Sequence, residues 1–175
     1  NNPDLPFYYV QLSSMERPGW EFFRDSQRRL LSIPNTGMAV SSDVGNRTDV
    51  HPRRKWTVGK RLSNIALAKT YGKNIVYSGP LLDYVNVLGN KLEVHFSYNE
   101  GLKTVDGNQV KDIEIAGADG VYKSAKSTIE NNILEVWHPE IKNPRYVRYG
   151  YTPFTEGNLI NKSGLPASTF SNSNQ

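Results

Sequence analysis

The alternation of apolar and polar residues changes period part-way along the chain. Residues 6–12 (PFYYVQL) form a short, continuous apolar and aromatic run, the pattern of a buried strand. Residues 13–18 read as a loop that ends in Pro18. Trp20, Phe23, Gln27, Leu30 and Leu31 then recur at near-helical spacing, which predicts an amphipathic helix over residues 19–31, with Pro34 beyond its end. Residues 37–40 (GMAV) predict a second short buried strand. Residues 41–55, rich in Ser, Asp, Gly, Asn and Pro, predict a loop. A second helix is expected over residues 56–71, with Val58, Leu62, Ile65 and Ala66 on one face and Gly72 at a C′-like position. Strand, helix, strand, helix is a piece of a parallel α/β layer fold. Two strands do not make a doubly wound sheet, so the piece is incomplete.

Near Ser78-Gly79-Pro80 the period becomes two. Leu92, Val94, Phe96 and Tyr98 alternate with Glu93, His95 and Ser97, as in a half-buried strand. Asp106-Gly107-Asn108 is a turn signal, and further strands fit residues 110–116, 133–137 and 146–151. Turns recur every ten to twenty residues, as in an antiparallel β-sandwich. The stretch after Gly164 is polar, and its last residues are expected to fray. The expected organisation is an α/β region over residues 1–80, a β-rich domain over 81–157 and a C-terminal tail over 158–175.

Composition adds bounds. Hydrophobic residues make up 37% and charged residues 22%, enough for a packed core. Ten Tyr, six Phe and three Trp fit a β-rich or carbohydrate-handling protein, although aromatics are first of all core residues. The net charge is +4, which raises nucleic-acid binding as a reading. Apart from the short run Arg53-Arg54-Lys55, however, the basic residues are scattered among acids, so no nucleic-acid partner is expected. The absence of cysteine excludes disulfides, Cys-ligated zinc and thiol nucleophiles. No apolar run approaches the ~20 residues of a membrane span, and no membrane partner is expected. The opening residues are neither basic nor apolar and resemble the middle of a longer chain or a processed product.

Candidate chemistry centres on His51, in a loop after a buried strand and before a helix, where open α/β sheets place functional residues. A histidine there can take a proton from a serine hydroxyl and return it to a leaving alcohol, with a carboxylate fixing its tautomer. Asp49, two residues earlier, can supply that carboxylate. Equally, the motif D-x-H-P can simply start a helix, with Asp49 favoured by the helix dipole. Asp43 is placed to order the same loop, and Trp56 either covers it, stacks on sugar or enters the core. Arg24 and Gln27 share one face of the first helix, as a surface arginine and a half-buried glutamine. His95 reads as a surface residue of a strand and His138 as a turn residue. No two histidines have metal-ligand spacing, so neither a metal nor another cofactor is expected. Asn46-Arg47-Thr48 and Asn161-Lys162-Ser163 match the glycosylation sequon.

Ordered blocks then carry a resemblance. Pro6-Phe7-Tyr8-Tyr9-Val10-Gln11-Leu12, Phe23-Arg24-Asp25-Ser26-Gln27, Gly37-Met38-Ala39-Val40 and Asp49-Val50-His51-Pro52-Arg53-Arg54-Lys55 follow one another as in sialate O-acetylesterases, which are SGNH-type hydrolases. Gly59-Lys60-Arg61-Leu62, Ile115-Ala116-Gly117-Ala118-Asp119-Gly120, Val147-Arg148-Tyr149 and Gly164-Leu165-Pro166-Ala167-Ser168 continue the series, so the resemblance covers nearly the whole chain.

The resemblance implies the C-terminal part of an SGNH-hydrolase-like parallel α/β layer fold, followed by an antiparallel β-sandwich-like region. It implies a secreted, periplasmic or lysosomal serine esterase that removes acetyl groups from sialic acid or related sugars. The family's nucleophile lies on a GQSN-like motif in the first half of the enzyme, and its histidine lies in a late block, here His51. The block that holds Arg24 and Gln27 implies that one of them faces the active-site side and steadies a loop. This chain has no GQSN-like sequence: Gln27 and Gln109 are not followed by serine, and the Ser13-Ser14 and Ser41-Ser42 pairs lack the flanking glycine and asparagine. The implied partners are therefore the N-terminal half of the same enzyme, carrying the serine, and an acetylated sugar. By itself the chain should be inactive and should expose apolar sheet surface. Many SGNH hydrolases place the triad acid three residues before the histidine, where this chain has Thr48; Asp49 is at minus two. The alternative reading is a non-catalytic carbohydrate-binding or structural β-module.

Overall fold

The computed structural model describes Asn2 and residues 4–173; the expected fraying of the last residues concerns Asn174 and Gln175, which lie outside them. The chain opens with strand β1 (Phe7–Val10), helix α1 (Trp20–Arg29) continued by a 3-10 turn over Leu30–Ser32, strand β2 (Thr36–Ala39) and helix α2 (Lys55–Lys69). β1 and β2 pair in parallel, with Tyr8 opposite Gly37 and Tyr9 opposite Met38. Ile65 of α2 is buried against them. A Cβ on Gly37 would fall 2.4 Å from an Ile65 methyl carbon, so the missing side chain is what lets helix and strand approach. α2 ends as predicted, where the chain turns left-handed at Gly72 (φ 63) and Lys73 N–H bonds back to the Leu67 carbonyl.

The rest is antiparallel. The strands are β3 (Leu81–Leu88), β4 (Lys91–Ser97), β5 (Lys103–Thr104), β6 (Ile113–Ala116), β7 (Lys123–Ser124), β8 (Lys126–Glu130), β9 (Ile133–Trp137), β10 (Tyr146–Tyr149), β11 (Leu159–Ile160) and β12 (Phe170–Ser171). One sheet runs β3-β4-β9-β8 and another β12-β10-β6-β7, with β5 and β11 as a short ladder. Leu92, Val94 and Phe96 of β4 meet Leu134 and Val136 of β9, Ile113 and Ile115 of β6, and Val147 and Tyr149 of β10 in one core. Period two places those residues inward on every second position, each worth about 1.5–3 kcal/mol when fully buried. Asn131 and Asn132 both adopt positive φ between β8 and β9, as a two-residue hairpin turn requires.

Four expectations change. The first helix does not bury its apolar stripe: Arg24 and Asp25 are its buried residues, while Phe22, Phe23 and Leu30 are exposed. Carbonyls of the 150–153 segment supply acceptors that turn the polar face inward. Arg24 is therefore not a surface residue. Second, the polar C-terminal stretch is interior through the described residues: Leu159, Ala167, Thr169 and Phe170 are buried, and Phe170 stacks on Tyr149. Its small polar side chains are buried with hydrogen-bond partners, which hydropathy alone does not anticipate. Third, His95 is half-buried and not fully at the surface; its ring lies flat on Tyr84, centroids 4.3 Å apart. Fourth, β1 is not fully buried, and its Phe7 is 64% exposed. No helix among the described residues is long and apolar enough to cross a membrane.

Candidate active site

His51 lies where the chain has left the carboxyl end of β2 and not yet entered α2. Asp49 Oδ1 accepts two hydrogen bonds from it: one from the His51 backbone N–H at 2.9 Å and one at 2.9 Å involving Nδ1 of the ring. An ionised carboxylate only accepts, so Nδ1 carries a proton, and in the neutral ring this tautomer leaves Nε2 with its lone pair. The backbone bond first, then the bond to the ring, holds the Asp49 carboxyl below the usual carboxylate range. Asp49 therefore stays ionised wherever the loop is folded at ordinary pH. Thr48, at the position three before the histidine, is used otherwise: its backbone N–H and hydroxyl both donate to Asn46 Oδ1. The His51 side chain is 79% exposed and that of Asp49 50%. The hydrogen bond seen at the ring is the one to Asp49.

The loop around this pair is anchored at its base. Asp43 receives two hydrogen bonds from the Arg61 guanidinium, at 2.6 and 2.7 Å, and the same guanidinium donates to the Val40 carbonyl at 2.8 Å. Asp43 thus orders the loop entrance, held there by Arg61 from the first half of α2. Gly45 passes so close to the 13–16 segment that a Cβ there would stand 2.3 Å from the Ser14 carbonyl oxygen. Trp56 does not enter the core; it is 84% exposed on the first turn of α2. Gln27 is half-buried and bridges strand β1 and the segment after it, accepting from Leu12 N–H and donating to the Val10 carbonyl. Asn161 is buried with its amide donating to the Ser78 and Tyr98 carbonyls, so the second sequon is inaccessible in the fold.

Two kinds of site residue were not legible in the sequence. The Arg61–Asp43 pair is separated by eighteen positions, and nothing in the local pattern links the two. The Ser13-Ser14 pair carries no motif, and its contacts are made across the fold. Among the described residues no three His, Asp or Glu side chains converge as a metal would require.

No family model matches the chain. It is 37% identical over 76 residues to the sialate O-acetylesterase of Homo sapiens, and 35% identical over 115 residues to that of Rattus norvegicus. Those matches cover 41% and 57% of this chain but 14% and 21% of the curated proteins. The crystal structure of a carbohydrate acetylesterase from Xanthomonas citri is 35% identical and superimposes with a TM-score of 0.93, over 98% of this chain and 42% of that one. The chain therefore spans less than half the length of the relatives it matches. The mixed α/β fold, with few helices and several antiparallel sheets, is close to that acetylesterase. By sequence and by fold together, the chain corresponds to the C-terminal portion of an enzyme of the sialate O-acetylesterase kind.

Proposed function

We propose that the chain is the part of a carbohydrate O-acetylesterase that supplies the general base, His51, oriented by Asp49, while the serine nucleophile comes from polypeptide outside this sequence. The observation that carries the reading is the double bond-acceptor role of Asp49 Oδ1, which fixes backbone and ring of His51 with one atom and leaves Nε2 free. The relatives' names give the substrate class, an O-acetylated sugar such as sialate.

In the proposed reaction the serine hydroxyl attacks the acetyl carbonyl as Nε2 of His51 takes its proton. The imidazolium, stabilised by Asp49, returns that proton to the departing sugar oxygen. The acetyl group is left on the serine. A water then attacks the acyl-enzyme, again losing its proton to His51. Acetate departs, and the proton returns to the serine oxygen.

Such chemistry works in a water-excluded site with preorganised donors, whereas His51 here stands open to solvent. That exposure, together with the exposed Leu5, Phe7, Phe22, Phe23, Leu30 and Ile33, supports a covering segment. β1 and β2 form a two-stranded parallel sheet with no further strand among the described residues, and parallel sheets are normally covered on both faces and extended at both edges. The proposed occupant is the N-terminal half of the same enzyme. The proposed setting is secreted, periplasmic or lysosomal, as the family resemblance implies.

The test is His51→Ala in the complete enzyme, assayed with 4-nitrophenyl acetate and with an O-acetylated sialic acid. The turnover number is expected to fall by on the order of 10³-fold or more. A near-normal rate in that variant would remove His51 from the mechanism.

A further inference from the structure

Both side chains of the Ser13-Ser14 pair are buried. They point to opposite partners. The Ser13 hydroxyl donates to the carbonyl of Val50, the residue immediately before His51, at 2.7 Å. The Ser14 hydroxyl donates to the Thr155 carbonyl at 3.0 Å and accepts the Thr155 N–H at 2.5 Å. The backbone of the same segment repeats the division. On one side, Asn46 N–H donates to the Ser14 carbonyl and Glu16 N–H to the Arg47 carbonyl; on the other, Met15 N–H donates to the Pro153 carbonyl. Residues 13–16 are thus a strap with the His51 loop on one edge and the 153–155 segment of the β-rich region on the other.

The far edge is itself held. The Arg24 guanidinium is fully buried, and its hydrogen bonds go to the carbonyls of Gly150, Thr152 and Pro153 and to the Thr169 hydroxyl, none to a carboxylate. Burial pushes its pKa down to about 10. A buried cation spent on main-chain carbonyls costs solvation, and what it returns is a defined position for the segment it grips. Trp20 of the same helix fixes the strap directly, its indole N–H donating to the Ser13 carbonyl at 2.8 Å.

We propose that residues 13–16 are a positioning strap through which the β-rich region sets the place of His51, and that Ser13 is its positioning residue at the catalytic loop. The inference rests on the reading of His51 as general base. It makes the β-rich region a part of the catalytic geometry and not an appended module. A displacement of the base on the order of 1 Å is enough to cost about 10²-fold in rate.

The test is made in the complete enzyme with 4-nitrophenyl acetate as probe and hydrogen exchange of the segment 46–51 as a second readout. Ser13→Ala is expected to lower kcat by about 10- to 100-fold with KM changed by less than about twofold, and to speed exchange in 46–51 while β4 and β9 keep their protection. Ser13→Thr, which retains the hydroxyl, is expected to restore both. Should Ser13→Ala not fold, Ser14→Ala cuts the other anchor and is read the same way. An unchanged kcat, or a lower kcat with unchanged exchange in 46–51, overturns the proposal. His51→Ala, run in parallel, separates the two failures: if it leaves the rate intact the general-base reading falls, while the exchange data still report whether Ser13 holds the loop.

Discussion

Asp49 does two things with one oxygen, and they can be taken apart. As acceptor for the His51 backbone N–H it closes a local turn that an asparagine can also close. As ionised partner of Nδ1 it sets the tautomer and stabilises the imidazolium, which an asparagine cannot do. Asp49→Asn in the complete enzyme is therefore expected to keep the loop's hydrogen-exchange pattern while lowering kcat by on the order of 10²-fold or more. An unchanged kcat would reduce Asp49 to a loop-ordering residue. Since its carboxyl is held below the usual carboxylate range, the acid limb of the pH–rate profile should not be assigned to Asp49. At this scale the sequence was informative about His51 and Asp49, because both contacts are local, two residues apart. It was silent on Ser13 and left Arg24 undecided between a surface residue and a loop support, because their partners lie 37 and more than 100 positions away. No local period encodes such pairings.

Elements with sustained period two were readable, though not always at their ends: β9 was expected and found at Ile133–Trp137, while the strands expected over 110–116 and 146–151 are the shorter Ile113–Ala116 and Tyr146–Tyr149. β3 was missed, since Asp83 and Asn86 interrupt its apolar run and it exposes much of its length at the edge of its sheet. The C-terminal stretch was misread because its burial depends on hydrogen bonds and not on hydropathy. It is tied to the Asp106-Gly107-Asn108 turn: the Asn158 amide donates to Asp106 Oδ1 at 2.9 Å, and Lys111 lies 3.1 Å from the other carboxylate oxygen. The Asn158 bond first, then Lys111 and Asn108, holds the Asp106 carboxyl well below the usual carboxylate range. A carboxyl depressed by folding stabilises above its unfolded pKa of about 3.9, and that contribution is lost as pH falls through the lower folded value. Asp106→Asn should therefore lower the melting temperature near neutral pH, and the difference from wild type should shrink as the pH is taken below about 3. A difference that is flat with pH would detach Asp106 from this linkage.

At the scale of the whole molecule the two regions differ in how complete they are. The antiparallel sheets close on one continuous core, and that core needs nothing further to exclude water. Among the described residues no further strand pairs with β1–β2, apolar side chains near β1 and α1 face solvent, and the candidate general base stands in the open. An incomplete layer joined to a finished one is what a C-terminal portion of a larger hydrolase should look like. Residues 13–16 join the two regions by hydrogen bonds to Val50 on one side and Thr155 on the other, the contacts on which the proposed positioning of the His51 loop rests. The most direct measurement of this account compares hydrolysis of 4-nitrophenyl acetate by the purified 175-residue chain and by the complete enzyme at equal concentration. The account predicts turnover by the complete enzyme and none above the uncatalysed rate by the chain alone, because the proposed nucleophile lies outside this sequence. Sustained turnover by the 175-residue chain would contradict it.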